Sequence, residues 1–263
     1  MHETNPEVFL IGRPSLNVEG MRGYLEDVGG ESWLERNCDD SGNATAAAGE
    51  MLVEFGGRAC YRSWEPGLNP NVSRVRTDRQ VYFENILASG HGSVLEHANY
   101  SFAFRNVSRV ATHEIVRHRA GAAYSQESLR YVRLVDIGFR IPPALAPLER
   151  ECIEIVERLE QFQIDAAKAL EIDDDGVPFA VKKEVTSALR RLAPIGLSTD
   201  IIVTMNARTL RHVIEMRTAS AAEEELRLIF DQVAIIMQAE APNLFQDFTR
   251  SDDGTWKPEH GKV

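Results

Sequence analysis

The stretch LSTDIIVTMNARTLRHVIEMRT, Leu197–Thr218, decides how this chain is read. Its first part, LSTDIIVTMN, reads as a strand, and it leads directly into a helix, ARTLRHVIEMRT, with no loop between them. Asn206 sits at the junction, and asparagine is a common helix cap because its side-chain oxygen accepts an otherwise orphaned backbone N–H. The core face of the helix then runs Leu210, Val213, Ile214, and the next member of that face is Arg217. A charge in that place is almost never fully buried without a partner. Two accounts are open. Arg217 either forms a salt bridge at the helix end with Glu223 or Glu224 or snorkels to solvent, or it points into a polar pocket and holds an anionic ligand. The pattern by itself favours neither.

Working outward, HANYSFAFRNV sets Tyr100, Phe102 and Phe104 against Ser101, Ala103 and Arg105, which predicts a second half-buried strand. Val107 to Arg119 reads as helical, with Val107, Val110, Ala111, Ile115 and Val116 on one side. Further helices are expected over residues 44–61, 77–89, 148–170, 180–192 and 221–239. GFRIPP reads as a strand stopped by two prolines, since proline has no N–H for the ladder. An early apolar piece, VFLIG, precedes a Gly- and acid-rich stretch, and the end, SDDGTWKPEHGKV, reads as loose. Long helices mixed with a few separated strands predict a single α+β domain, the helices packed on a small, mostly antiparallel sheet. Residues 1–72 are taken as an N-terminal extension plus first helix, 73–246 as the core and 247–263 as a loose tail.

The 263 residues carry a net charge of -11, which argues against a general nucleic-acid binder. No apolar run reaches the roughly 18 residues of a membrane span, and MHETNPE lacks a signal-peptide core. A cytoplasmic protein with no membrane partner is the expectation. Cys38, Cys60 and Cys152 are too few and scattered for a disulfide framework or a cysteine metal site, and are read as small buried hydrophobes. Cys152 keeps step with Ile155, Val156, Leu159 and Phe162, a core stripe.

Against that acidic background, VRHRAGAAYSQESLRYVR gathers Arg117, His118, Arg119, Arg130 and Arg133 within Val116–Arg133. Arginine outnumbers lysine 24 to 5 in the chain, and its planar fork suits phosphate and carboxylate. Gly121–Ser125 supplies small residues that let a ligand approach the backbone. Ser125, Gln126 and Ser128 add neutral hydrogen-bonding groups. The bland alternative is a solvated helix end. The chemistry points to a nucleotide monophosphate without naming a reaction. Neither common glycine-rich phosphate cradle is present. HEIVRH is not a zinc-protease motif, because His113 and His118 are five apart and fall on different helix faces. A mixed metal site using His91, His97, His113 and His118 would be opposed by the neighbouring arginines, so no metal is expected. DDDG at Asp173–Gly176 lacks the alternation and closing Glu of a calcium loop and is read as a solvated turn.

RHRAGAAYSQESLRY resembles the signature of the flavin-dependent thymidylate synthases: Arg-His-Arg, seven or eight residues, then Ser, with Arg and Tyr soon after. Eight residues separate Arg119 from Ser128, the longer form. HGSVLEH, His91–His97, is similar to the family's His-x-Ser/Thr-x-x-Glu-His segment, and NARTLRHVIEMRT, Asn206–Thr218, to its Asn-x-Arg helix ending in a functional Arg. The resemblance spans about Thr77 to Ala239 and implies an α+β protomer in a homotetramer with sites shared between subunits. It also implies synthesis of dTMP from dUMP, with methylenetetrahydrofolate as methylene donor and FAD, reduced by NADPH, as hydride carrier. No Cys nucleophile takes part in that chemistry.

Carried over position by position, the resemblance assigns His91, Ser93, Arg117, His118, Arg119, Gln126, Asn206, Arg208 and His212 to the flavin. It assigns Glu114, Ile115, Val116, Arg117, Gln126, Glu127, Ser128, Leu129, Arg130, Arg190 and Arg217 to dUMP. Arg217 would lie at the pyrimidine and favour negative charge there. Ser128 is placed in substrate binding, since its nearest His, His118, belongs to the flavin set. Glu114 stands where the family often has Gln, and either bonds a nitrogen or pairs with Arg117. Two rival readings are a non-catalytic RNA- or nucleotide-binding module using the same Arg cluster and a flavoprotein on this fold that has lost folate chemistry.

Overall fold

Two strands of this chain turn into helices without a connecting loop, and a capping side chain marks each turn. In the computed structural model, which describes residues 1–39, 41 and 43–263, the chain begins with strands β1 (His2–Glu3) and β2 (Glu7–Gly12). Helices α1 (Val18–Val28), α2 (Glu31–Asn37), α3 (Ala48–Tyr61) and α4 (Arg79–Ala88) follow. Strand β3 (Asn99–Ser108) enters α5 (Arg109–Ile115) with the Ser108 hydroxyl accepting the Ala111 amide at 3.0 Å. After β4 (Ala122–Gln126) and β5 (Gly138–Phe139) come α6 (Glu149–Ala169) and α7 (Phe179–Leu189). Strand β6 (Ser198–Asn206) enters α8 (Ala207–Thr218) with Asn206 Oδ1 accepting the Thr209 amide at 2.8 Å. Helix α9 (Glu224–Glu240) precedes a hairpin of β7 (Phe248–Arg250) and β8 (Trp256–Pro258).

The main sheet has the order β2-β3-β6-β4 and is antiparallel throughout. Strands β1 and β5 form a separate parallel pair. One face of the main sheet buries Tyr100, Phe102, Phe104, Ile201, Val203 and Met205. These pack with Leu210, Val213 and Ile214 of α8 and with Ile229, Phe230 and Val233 of α9. Each such side chain contributes about 1.5–3 kcal/mol on burial. The other face is more polar, with Ser101 and Thr204 hydroxyls bonded at 2.8 Å. Asn99 pairs with Asn206 and Ser108 with Ser198, so α5 and α8 leave opposite ends of the β3–β6 ladder and their far ends meet. The α+β expectation holds.

Several local expectations change. The α5 helix runs only from Arg109 to Ile115, because Ser108 caps it two residues late and the chain then turns toward Gly121. The N-terminal residues are woven in: β2 pairs with β3, and Trp33 and Trp64 centre a second core with Leu25, Leu34 and Met51. The segment expected to be loose is packed, with Trp256 buried and its indole N–H donated to Asp231 at 2.7 Å. The expected stripe on α6 is only partly inward: Val156 is buried, but Ile155 is 59% and Phe162 44% exposed, because the helix packs through Val156, Gln163 and Ala167. The three cysteines are not buried hydrophobes; Cys60 is exposed, and Cys38 and Cys152 are half-buried. Among the described residues no helix is long and apolar enough to cross a membrane.

Candidate functional site

At the start of α8 the backbone comes close enough to β4 to exclude a side chain. Gly121 has φ +65°, and a Cβ there would lie 2.2 Å from Asn206 Nδ2 and 2.5 Å from Thr209 Oγ1. Its carbonyl accepts the Asn206 amide at 3.1 Å, and Thr209 Oγ1 donates to the Ala120 carbonyl at 2.8 Å. Only glycine meets both the left-handed conformation and the close approach. This junction is one edge of a cleft of about 610 Å³, within the usual range of small-molecule sites.

Arg117, His118 and Arg119 form one side of the cleft, and Asn206, Arg208 and His212 another. Six of the nine residues assigned to the flavin thus share one cavity. His91 and Ser93 flank Gly92, whose Cβ would sit 2.8 Å from Arg208 Nε, so this segment lies against the same arginine. His91 Nδ1 is buried with no hydrogen-bond partner among the described residues. Gln126 is set apart, its amide donating to Thr112 Oγ1 at 2.9 Å. Three arginines and a glycine-lined approach fit a flavin nucleotide, whose diphosphate needs cations.

Arg217 takes neither expected partner. Glu223 caps α9, accepting the Glu225 amide at 2.9 Å, and Glu224 pairs with Arg140. The Arg217 guanidinium instead reaches across to α5, with Nη1 donating to Glu114 Oε2 at 2.8 Å and Nε donating to His118 Nε2 at 2.8 Å. Glu114 therefore pairs with Arg217 and not with Arg117. A guanidinium only donates, so His118 Nε2 carries no proton and the ring is neutral. Burial, then the Arg217 and His212 charges, push the His118 pKa down to about 4, in agreement with that geometry. Behind it, the Tyr124 hydroxyl bridges the carbonyls of Ile115 and His118 and pins the bend after α5. Burial raises that phenol to about 12, so it stays protonated.

The residues assigned to dUMP do not all gather in this cleft. Ile115 and Leu129 are buried in two separate hydrophobic clusters, away from the cleft. Val116 packs against the main core. Glu127 accepts from Thr199 Oγ1 at 3.3 Å, and the Ser128 carbonyl accepts the Tyr131 amide at 2.9 Å in a turn. Arg130 is exposed beside Lys183 and Arg191, around a shallow depression on α7, and Arg190 lies at the end of that helix. Glu127 to Arg130 follow directly on the edge strand β4.

Sequence reading missed the third wall, formed by Pro258, His260 and Val263. It also missed Arg211, which is 4% exposed and forks onto Asp247 at 2.7 and 2.8 Å. The one available signal was Trp256, a large aromatic in a segment otherwise rich in turn residues. Among the described residues no group of three or more His, Cys, Asp or Glu is placed to hold a metal ion.

Comparison with known proteins converges on one family. The family model for thymidylate synthase complementing protein matches residues 44–243. The flavin-dependent thymidylate synthase of Mycobacterium tuberculosis is 37% identical over 217 residues, covering 80% of this chain and 84% of that one. That of Mycolicibacterium gilvum is 36% identical over 223 residues, with coverage of 80% and 84%. That of Mycobacteroides abscessus is 37% identical over 211 residues, with coverage of 77% and 81%. On these matches, and with Arg117, His118 and Arg119 of its signature on one wall of the cleft, this chain belongs to the family of flavin-dependent thymidylate synthases.

Proposed function

We propose that this protein makes dTMP from dUMP, with methylenetetrahydrofolate as methylene donor and FAD, reduced by NADPH, as hydride carrier. The observation that carries this reading is Arg217, held between Glu114 and His118 next to a cationic cleft. Bound FAD would supply the hydride chemistry; Arg117, Arg119 and Arg208 would hold its diphosphate, with Asn206, His212, His91, Ser93 and Gln126 as further contacts. Arg217 is a fixed cation that can stabilise negative charge developing on a pyrimidine ring, and preorganised charge of this kind is worth about 3–4 kcal/mol in a transition state. Neutral His118 orients that guanidinium without competing for the anion. Glu114 neutralises Arg217 until a ligand takes its place.

The cysteines lie in α3, in α6 and at the end of α2, and none lines the cleft among the described residues, which supports a route without a thiolate. One chain gathers most of the flavin set but leaves Glu127, Ser128, Arg130 and Arg190 strung along β4 and α7. That separation supports a homotetramer with sites completed by a neighbouring copy. The test is a visible spectrum of the purified protein, followed by a dTMP assay. An oxidised-flavin spectrum that bleaches with NADPH, with dTMP formed once dUMP and methylenetetrahydrofolate are added, is expected. Protein that stays colourless after incubation with FAD overturns the reading.

A further inference from the structure

The segment after β8 lines the cleft, and its attachments fall on or beside the residues that define it. Gly92, between His91 and Ser93, has room for no side chain because a Cβ would lie 2.4 Å from the Val263 carbonyl carbon. Arg208 Nε donates to the Val263 carbonyl at 3.3 Å. Arg211, next to His212, donates to the His260 carbonyl at 3.3 Å, while the His260 amide donates to Asp247 Oδ2 at 3.1 Å. The His260 ring reaches Glu84 on α4 at 3.1 Å. Upstream, the Trp256 amide donates at 2.9 Å to the hydroxyl of Thr218, the neighbour of Arg217. Buried anchors at Arg211, Asp247 and Trp256 hold this segment in place, yet Pro258, His260, Gly261 and Val263 still face the cavity.

From this placement we infer that His260–Val263 is a fixed wall of the flavin-nucleotide site and sets how tightly the flavin is retained. The inference rests on the reading of the cleft as that site. A purely structural strap would attach to the outside of α8; this one is held by Arg208 and Arg211, which line the cleft themselves, and Pro258, His260, Gly261 and Val263 line it beside them. Gly261 gives a direct probe. A Cβ built there meets only the Glu215 carboxylate, at 3.6 and 3.8 Å, and Glu215 itself lines the cleft. A side chain at Gly261 therefore starts beside a cleft-lining residue, with no anchor atom within 4 Å of its Cβ.

The experiment titrates FAD, followed by flavin fluorescence, into three proteins: the full chain, a deletion of His260–Val263, and Gly261→Trp. Thermal unfolding of each, measured without FAD, accompanies the titrations. Both changes are expected to weaken FAD binding at least tenfold, with Gly261→Trp leaving the apo melting temperature where it was. FAD binding as tight as in the full chain in both variants overturns the wall assignment and leaves the cleft reading intact. Loss of binding that only tracks loss of folded protein in both variants assigns the segment to stability and also overturns it. A full chain that binds no FAD overturns the cleft reading and this inference together.

Discussion

Helix α8 carries three arginine–carboxylate pairs; beside the exposed Arg208–Glu96 pair, those of Arg211 and Arg217 differ in nearly every respect that matters. Arg211 and Asp247 are buried, with a two-point fork, and the Leu244 and His260 carbonyls accept from the same two Nη atoms. Arg211 and His260 hold the Asp247 carboxyl below the usual carboxylate range, although burial opposes this. Arg217 and Glu114 meet through one side-chain contact, with Glu114 partly open to solvent. The first pair is closed and has no room for another anion. The second is openable, because one carboxylate oxygen and a histidine nitrogen can be exchanged for ligand atoms. The same residue types on one helix thus serve folding at one turn and, by our proposal, chemistry at another, and enclosure separates the two.

The largest effect that would test this contrast is Arg211→Leu. Removing one member of a buried pair strands the other, at about 3–5 kcal/mol. For a chain of this size that lowers Tm by roughly 10 °C. A variant that melts with wild-type protein would erase the distinction between the pairs. Next comes Arg217→Ala, expected to keep its fold and its flavin while dTMP formation falls by about 10²–10³; near-normal turnover would remove Arg217 from the chemistry. Glu114→Gln is a smaller change, since a partly exposed pair is worth about 1 kcal/mol or less. It is expected to tighten dUMP binding up to about fivefold, measured by calorimetry, because the internal competitor is gone. Weaker binding would show Glu114 to be a ligand.

The smallest effect is a pH dependence. His118 has a folded pKa of about 4 against an ordinary 6.5, so the unfolded chain binds the extra proton first. Its contribution is present above about pH 6.5 and is lost as pH falls toward 4. Thermal melts should show a downward slope over that window that is shallower in His118→Gln. Equal slopes in the two proteins would mean that His118 titrates normally.

Features written into short stretches were legible in the sequence. Asn206 as a cap, the strand-to-helix passage and Arg217 as a break in an apolar face all follow from residues within a few positions of one another. Ser108 carried the same capping signal, and following it would have placed the start of α5 correctly. Pairings across the fold were not legible. Glu114 and Arg217 are 103 residues apart and meet only because two helices converge from opposite ends of one ladder. The tail's polar composition hid its role, because its anchors, Arg211 and Asp247, look like surface charges until both are buried. The α6 stripe misled in another way: the packed face keeps Val156 but is rotated toward Gln163 and Ala167, leaving Ile155 and Phe162 outside.

The absence of a loop between β6 and α8 has a mechanical consequence. Arg217 has no hinge of its own, so its position is dictated by the strand pairing that delivers the helix. A slip of one residue between β3 and β6 would turn every side chain on the strand to the opposite face. It would also carry Asn206, Arg208 and Arg217 away from Arg117 and Glu114 in a single step. Proofreading of the site is thereby delegated to the hydrophobic alternation of Phe102, Phe104, Ile201 and Val203, residues that no ligand touches.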